Sequence, residues 1–346
     1  MKLKVKSIAI VMTLVLCMLM QGCKKADTEA VKTEKEKEST ACTVTSQPEK
    51  ESSNTNAAKE EIVETNKEAE SGEVKMIKTE SWEQVKEINP ADKHIRSRYA
   101  GFYNDNFGII TFQYGILYYT VDGGETWKVG KNKSDCIAGL EIIDEKNAII
   151  SANYSEVRIS EDGGANWTEV PNFGDMANEH CRYLSFIDKN TGWIANRKEI
   201  GYTTDGGQSW VSVNAPQNIS DISAIWLSST TEGYVLSSDG KFFSTLDGGK
   251  TWMDKDLGIK GLQILVCPTA ALRVENQQSF QIIAYLENGD QKGYYYLTTK
   301  DGGASWEKNE LFAEGGPGFV YWNRENSLLT LSEQKDKIIR VFQKIE

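Results

Sequence analysis

Thr120-Val121-Asp122-Gly123-Gly124-Glu125-Thr126-Trp127 is the first of five copies of one pattern. The others are Ser160-Glu161-Asp162-Gly163-Gly164-Ala165-Asn166-Trp167, Thr203-Thr204-Asp205-Gly206-Gly207-Gln208-Ser209-Trp210, Thr245-Leu246-Asp247-Gly248-Gly249-Lys250-Thr251-Trp252 and Thr299-Lys300-Asp301-Gly302-Gly303-Ala304-Ser305-Trp306. Successive aspartates are 40, 43, 42 and 54 residues apart. A near-fixed period of this length marks a repeat architecture. The pattern reads as a hairpin turn. The aspartate accepts backbone N–H bonds, the two glycines supply positive φ, and the tryptophan folds back to bury its ring.

Between turns the chain is built of strands. Leu184–Ile187, Gly192–Asn196, Ile200–Thr203 and Trp210–Val213 are short runs rich in β-branched and aromatic residues, separated by turn residues. The next period repeats this with Ile222–Trp226, Gly233–Leu236, Phe242–Thr245 and a run from Trp252. Four strands in about 42 residues make one blade of a β-propeller. The expected class is therefore all-β, a single propeller of four-stranded blades. All 14 Tyr, 11 Phe and 9 Trp fall at or after Trp82, and the length of that part divided by the period gives about six blades. Seven is the competing count, with the 54-residue interval as the place for an extra blade. After the fifth motif come three strand-like runs, Phe319–Trp322, Leu328–Leu331 and Ile338–Phe342. The fourth strand of that blade is expected from the other end of the domain, where Trp82 and Val85 repeat the spacing of Trp167 to Val170. Closing the ring this way removes an open sheet edge.

The motif resembles the Asp-box, or BNR, repeat of sialidases and sortilin-like receptors. The unit Gly192-Trp193, Ile200-Gly201-Tyr202 and Thr204-Asp205-Gly206-Gly207-Gln208-Ser209-Trp210 is similar to the repeat of the photosystem II stability and assembly factor family. That resemblance covers residues 74–346. It implies a seven-bladed ring that assists assembly of a membrane protein, with Asp-boxes in a structural role. The six-blade count departs from it, and no arginine-rich patch of the kind those factors use stands out among the eight arginines. Sialidase likeness implies three arginines that clamp a sugar carboxylate, a Tyr–Glu nucleophile pair and an acidic residue. The expected Arg-Ile-Pro motif is missing where the chain reads His94-Ile95-Arg96-Ser97-Arg98-Tyr99. Xyloglucanases with related repeats need two facing propellers, and this chain has room for one.

Upstream, Lys2, Lys4 and Lys6 precede an uncharged apolar run from Ile8 to Met20, too short to span a bilayer comfortably. It ends in Leu19-Met20-Gln21-Gly22-Cys23, which resembles a bacterial lipoprotein signal with Cys23 as the acylated residue. Residues 1–22 are read as the signal peptide. Residues 23–73, rich in Lys, Glu, Ser and Thr and without an aromatic residue, are read as a disordered tether that cannot bury enough apolar area to fold. The expected location is the extracytoplasmic face of a bacterial cell membrane.

A net charge of −11 argues against nucleic-acid binding, which needs clustered Lys and Arg. Two histidines and no ligand spacing leave no expected metal or cofactor. Cys136 and Cys181 fall near the starts of two inner strands. They are read as buried small residues rather than a disulfide, because a bridge needs a Cα separation that sequence does not supply. The loops between blades are the usual binding face. The longest run from Pro171 to His180 and from Asn214 to Asp221, so Asp175, Glu179 and His180 are the ligand-binding candidates. The functional expectation is a non-catalytic protein-binding or assembly scaffold, tethered by Cys23, with a protein partner at the membrane. The alternative is a glycan-binding or glycosidase-like surface module.

Overall fold

First strands buried on both faces and last strands with solvent-facing positions set an axis side and a rim side in the repeats. Ile137–Ile142, Tyr183–Phe186 and Ile222–Leu227 are buried at every position, whereas Met253–Asp256 is exposed at every position. In the computed structural model the described residues are 62–64, 82–88, 97–152, 156–171, 173, 183–259, 262–263, 272–288, 291–312, 317–325, 328–333 and 338–345. They form six antiparallel sheets.

Blade 1 comprises Ser97–Phe102, Gly108–Phe112, Leu117–Thr120 and Thr126–Val129. Blade 2 comprises Ile137–Ile142, Ala148–Ala152, Glu156–Ser160 and Thr168–Val170. Blade 3 comprises Tyr183–Phe186, Gly192–Ala195, Ile200–Thr203 and Val211–Val213. Blade 4 comprises Ile222–Leu227, Gly233–Ser237, Lys241–Thr245 and Met253–Asp256. Blade 5 comprises Leu272–Val274, Phe280–Asn288, Gln291–Thr299 and Glu307–Phe312. Blade 6 comprises Pro317–Trp322, Leu328–Glu333, Ile339–Lys344 and Trp82–Ile88.

The described residues make six blades, and those in the long interval form no seventh. The two central strands of blade 5 are nine residues each, and Leu262–Gln263 adds a short strand beside Phe280–Asn288. The extra length is absorbed within one blade and its approach. The N-terminal strand closes the ring as the sequence predicts. Trp82–Ile88 runs antiparallel to Ile339–Lys344, with Trp82 opposite Lys344 and Ile88 opposite Ile339.

The core is a series of layers between blades. Ile149, Val157, Val170 and Phe173 of the blade 2 side meet Leu184, Phe186 and Ile194 of blade 3. Tyr183, Trp193 and Val213 of blade 3 meet Ile225, Val235 and Phe243 of blade 4. Trp82 lies in the layer between blades 5 and 6, fully buried, edge-on to Tyr296 at 6.0 Å and to Trp322 at 5.7 Å between ring centroids. Each blade thus owes its burial to both neighbours, and an open ring would strip one face of blades 5 and 6.

Ile62–Glu64, inside the expected tether, is a strand on the outer edge of blade 1. Cys136 is buried just ahead of the first strand of blade 2. Cys23 and Cys181 lie outside the described residues, as does the signal segment. No described helix is long and apolar enough to cross a membrane.

Trp82→Ala removes the largest side chain of the closing strand. Loss of a buried tryptophan costs about 3–5 kcal/mol. Urea unfolding should report a loss in that range, and a loss below about 1 kcal/mol would contradict closure through this strand.

Candidate functional site

In an antiparallel meander the turn after the first strand and the turn after the third lie at the same end of the blade. Hydrogen bonds confirm this here. Gly123 N–H donates to Asn106 O at 2.7 Å, Gly206 to Asn190 O at 2.9 Å and Gly302 to Gln278 O at 2.7 Å. One end of the ring therefore carries all five Asp-boxes, and the loops between blades lie at the other.

Each Asp-box is closed by two side chains. The hydroxyl of Thr120, Ser160, Thr203, Thr245 or Thr299 accepts the N–H of the second glycine at 2.7–2.9 Å. The aspartate Oδ1 accepts the N–H four residues on, from Thr126 at 3.0 Å to Ser209 at 2.8 Å. Asp162, Asp247 and Asp301 do the same with Asn166, Thr251 and Ser305. Both glycines have positive φ in every copy, Gly163 and Gly164 at 73° and 88° and Gly248 and Gly249 at 72° and 84°. The five aspartates are spent on their own turns and do not converge.

The boxes also join blades. The indole N–H of Trp210 donates to Pro171 O at 2.9 Å, Trp252 to Asn214 O at 2.6 Å and Trp306 to Leu257 O at 3.0 Å, each in the segment that ends the preceding blade. Trp127 and Trp167 instead bond Gly124 O and Gly164 O of their own turns. Lys131 N–H reaches Ala165 O at 2.8 Å from blade 1 to the blade 2 box.

What does converge is a polar hub at the centre of the Asp-box end. Arg324, in the first turn of blade 6, reaches three other blades. Its Nε lies 3.2 Å from Glu141 Oε1 of blade 2, its Nη2 donates to Ser185 Oγ of blade 3 at 2.9 Å, and its Nη1 donates to Leu227 O of blade 4 at 3.2 Å. The guanidinium stands 4.7 Å over the Trp226 ring, a favourable cation–π separation. Arg273 of blade 5 holds the same turn from behind, donating to Asn323 O at 2.9 Å and Arg324 O at 3.2 Å. Tyr321 Oη donates to Ile142 O at 3.1 Å and accepts Ile142 N–H at 2.9 Å. Its ring fits because Gly101 has no side chain, where a Cβ would sit 2.5 Å from Tyr321 Cδ1. Burial raises the Glu141 carboxyl to about 7, although Arg324 pulls the other way. Burial pushes the Tyr321 phenol well above its ordinary range, with Glu141 adding to it.

Sequence reasoning missed this hub. In five blades the first turn is capped by a short polar side chain. Asn104, Asp144, Asp188, Ser229 and Asn276 each accept backbone N–H groups two and three residues on. Arg324 occupies that position in blade 6, and the cap moves one residue back to Asn323, which accepts Leu328 N–H at 2.9 Å. The signal was a break in the turn pattern. The expected candidates belong to the connection between blades 2 and 3. Asp175, Glu179 and His180 lie outside the described residues. The second long loop, Asn214 to Asp221, is tied to the middle turns of blades 3 and 4, with Asp221 3.0 Å from Lys198 and Ser220 2.9 Å from Asp239. Among the described residues no group of His, Cys, Asp and Glu is placed to hold a metal ion.

The BNR/Asp-box repeat family model matches residues 118–129. That stretch is the first of the five Asp-box turns in this six-bladed β-propeller. No curated protein matches it. Among solved structures it is similar to the WD40 propeller of Doa1, at 10% identity and TM-score 0.52, over 77% of this chain and 98% of that one. It is similar to YCF48 from Cyanidioschyzon merolae at 14% identity and TM-score 0.45, over 76% and 98%. It is also similar to a YCF48 bound to D1 peptide at 18% identity and TM-score 0.40, over 57% of this chain and 63% of that one, just under two thirds of its length. At such identities the likeness speaks to fold alone.

The propeller's two kinds of carboxylate give opposite pH slopes. In Asp122 burial is outweighed by bonds from Thr126 and Thr120, and the group falls to about 2. Bonds from Thr251 and Ser305 bring Asp247 and Asp301 to about 2 as well. A depressed carboxylate stabilises the fold above its ordinary value near 3.8, and this is lost as pH falls toward 2. Glu141, raised to about 7 from 4.5, has the reverse sign: its contribution weakens the fold as pH rises through that window. Urea midpoints measured from pH 2 to 8 should climb steeply out of acid and then decline slightly between pH 5 and 7. Glu141→Gln should remove the decline and keep the acid limb. A decline of equal size in Glu141→Gln would contradict the assignment.

Proposed function

We propose that this propeller is a non-catalytic scaffold that binds a protein partner at the extracytoplasmic face of a bacterial cell membrane, held there by a lipid on Cys23. The observation that supports it is the state of Arg324. A glycosidase of this fold class would need arginine, carboxylate and tyrosine open toward substrate. Here they converge, but each of the three Arg324 nitrogens is bonded to protein, two Arg273 nitrogens hold main-chain carbonyls, and the Tyr321 hydroxyl is paired in both directions. The constellation works as a plug between blades. The glycosidase-like reading draws on the same cluster and needs Arg324 to leave three partners before it touches a sugar. Binding is then the function left to the outer surfaces of a rigid ring. The YCF48 complex with D1 peptide is an instance of the partner class proposed.

The lipid anchor is supported by the position of Cys23 after the apolar run and before the polar tether. In-cell crosslinking of the tagged full-length chain, beside Cys23→Ala, tests both parts. The expected result is a defined membrane-protein partner whose yield drops at least about tenfold when the cysteine is lost, as expected when a tether's effective concentration is removed. Retention on cell-wall glycan without any protein partner, or turnover of an aryl glycoside that Arg324→Lys abolishes, would overturn it.

A further inference from the structure

Every blade of a propeller ends in an outer strand with one unpaired edge. Such edges invite strand addition, and proteins blunt them with shortness and charge. Five of the six are blunted here. The outer strands of blades 2 and 3, Thr168–Val170 and Val211–Val213, are three residues long. That of blade 4 carries Asp254, Lys255 and Asp256, and that of blade 5 carries Glu307, Lys308 and Glu310. That of blade 6 carries Glu83, Lys86 and Glu87. Blade 1 departs from this. Its outer strand, Thr126-Trp127-Lys128-Val129, is four residues long with one charge, and Val129 is 43% exposed.

On that edge alone, among the described residues, a segment from outside the ring is added. Ile62–Glu64 pairs antiparallel with Thr126–Val129, in the register Ile62 opposite Lys128, Val63 opposite Trp127 and Glu64 opposite Thr126. Ile62-Val63 is also the one place in residues 24–73 where two Ile or Val residues adjoin. The Lys-, Glu-, Ser- and Thr-rich composition of this stretch is interrupted where β propensity meets an open edge.

We propose that the outer edge of blade 1 is a strand-addition site for an extended, β-branched segment of a partner protein, and that Ile62–Glu64 is its resident occupant in cis. This rests on the protein-binding reading above and says where that binding occurs. Three paired residues hold by a few backbone hydrogen bonds and by the high local concentration that a short connection to Trp82 supplies. A partner strand that pairs with all of Thr126–Val129 gains contacts that the resident triplet does not make. Backbone bonds give it affinity and its alternate side chains give selectivity, as in other cases of strand addition.

The test uses the full-length chain and Val63→Pro, which removes a backbone donor and disfavours pairing at that position. Hydrogen exchange at the Trp127 amide, opposite Val63, should be about tenfold faster in Val63→Pro, while the Thr126 amide, bonded to Asp122, stays as it was and the urea midpoint for the ring is unchanged. A synthetic peptide of residues 58–68, added at about millimolar concentration, should restore protection to the variant. Equal exchange in the two chains, or no response to the peptide, overturns the proposal. A photo-crosslinking amino acid at Val129 then reads partner binding in cells. A yield to partner that rises in Val63→Pro supports the proposal. Partner crosslinks at other positions but none at Val129 in either chain overturn it and leave the scaffold reading standing. Absence of any protein crosslink from any position removes both.

Discussion

The closed Asp-box turn is the interaction on which the rest of the molecule depends. Two successive residues with positive φ bring a strand round sharply, and a side chain at either would be strained there. Left alone such a turn is loose. The carboxylate accepting from one side and the hydroxyl accepting from the other fix it, at the cost of holding a carboxylate ionised and partly sheltered. The fixed turn then sets where the tryptophan points, and in three blades that is at a carbonyl of the blade before. Local turn chemistry is thereby converted into registration between blades. Gly249 shows how tight that registration is: a Cβ there would meet Val213 Cγ1 of blade 3 at 2.1 Å.

Blade 6 lacks an Asp-box and is held otherwise. Its fourth strand comes from the N-terminal side of the domain, and Lys86 on that strand bonds the carbonyls of Gly123 and Asp105 in blade 1. Its first turn sends Arg324 across the axis to blades 2, 3 and 4. A buried ion pair of this kind adds little net stability, because desolvating both charges offsets their attraction, but breaking it leaves one charge buried and uncompensated. Its effect is geometric: four blades converge on one guanidinium, with a fifth, through Arg273, fixing the turn that carries it. The blade without the repeating stitch supplies the contact that is not repeated.

The fold was legible because the turn chemistry leaves few alternatives. Asp-Gly-Gly followed by tryptophan at constant spacing specifies a turn between strands, and the strand between Ile200 and Thr203 was read to the residue. Closure was legible from Trp82, which is buried as Trp167 is, but the spacing to Val85 does not carry over: Val85 is exposed, and Gln84 and Ile88 turn inward instead, with a register shift between Gln84 and Lys86. The seven-blade alternative arose from counting residues, and nine-residue strands in blade 5 consumed the surplus. The hub was not legible. Arg324 is one of eight scattered arginines, and its role exists only once six inner strands bring blades 2, 3, 4 and 6 around one axis. Attention to long charged loops pointed to the connection between blades 2 and 3 instead. Aligning the first turns of the six repeats would have exposed an arginine where Asn104, Asp144 and Asp188 stand in the others. Ile62-Val63 was passed over because composition was averaged across the whole tether.

If Asp-boxes register each blade on the one before, damage to a box should spread in one direction. Asp247→Ala opens the blade 4 turn and frees Trp252, whose indole bonds Asn214 O at the end of blade 3. Hydrogen exchange across the ring measures this directly. The account predicts faster exchange in the blade 4 turn and in Val211–Val213 of blade 3, with the blade 5 strands Phe280–Asn288 and Gln291–Thr299 unchanged. Loss of protection confined to residues 245–252, or spread equally to blade 5, would contradict it.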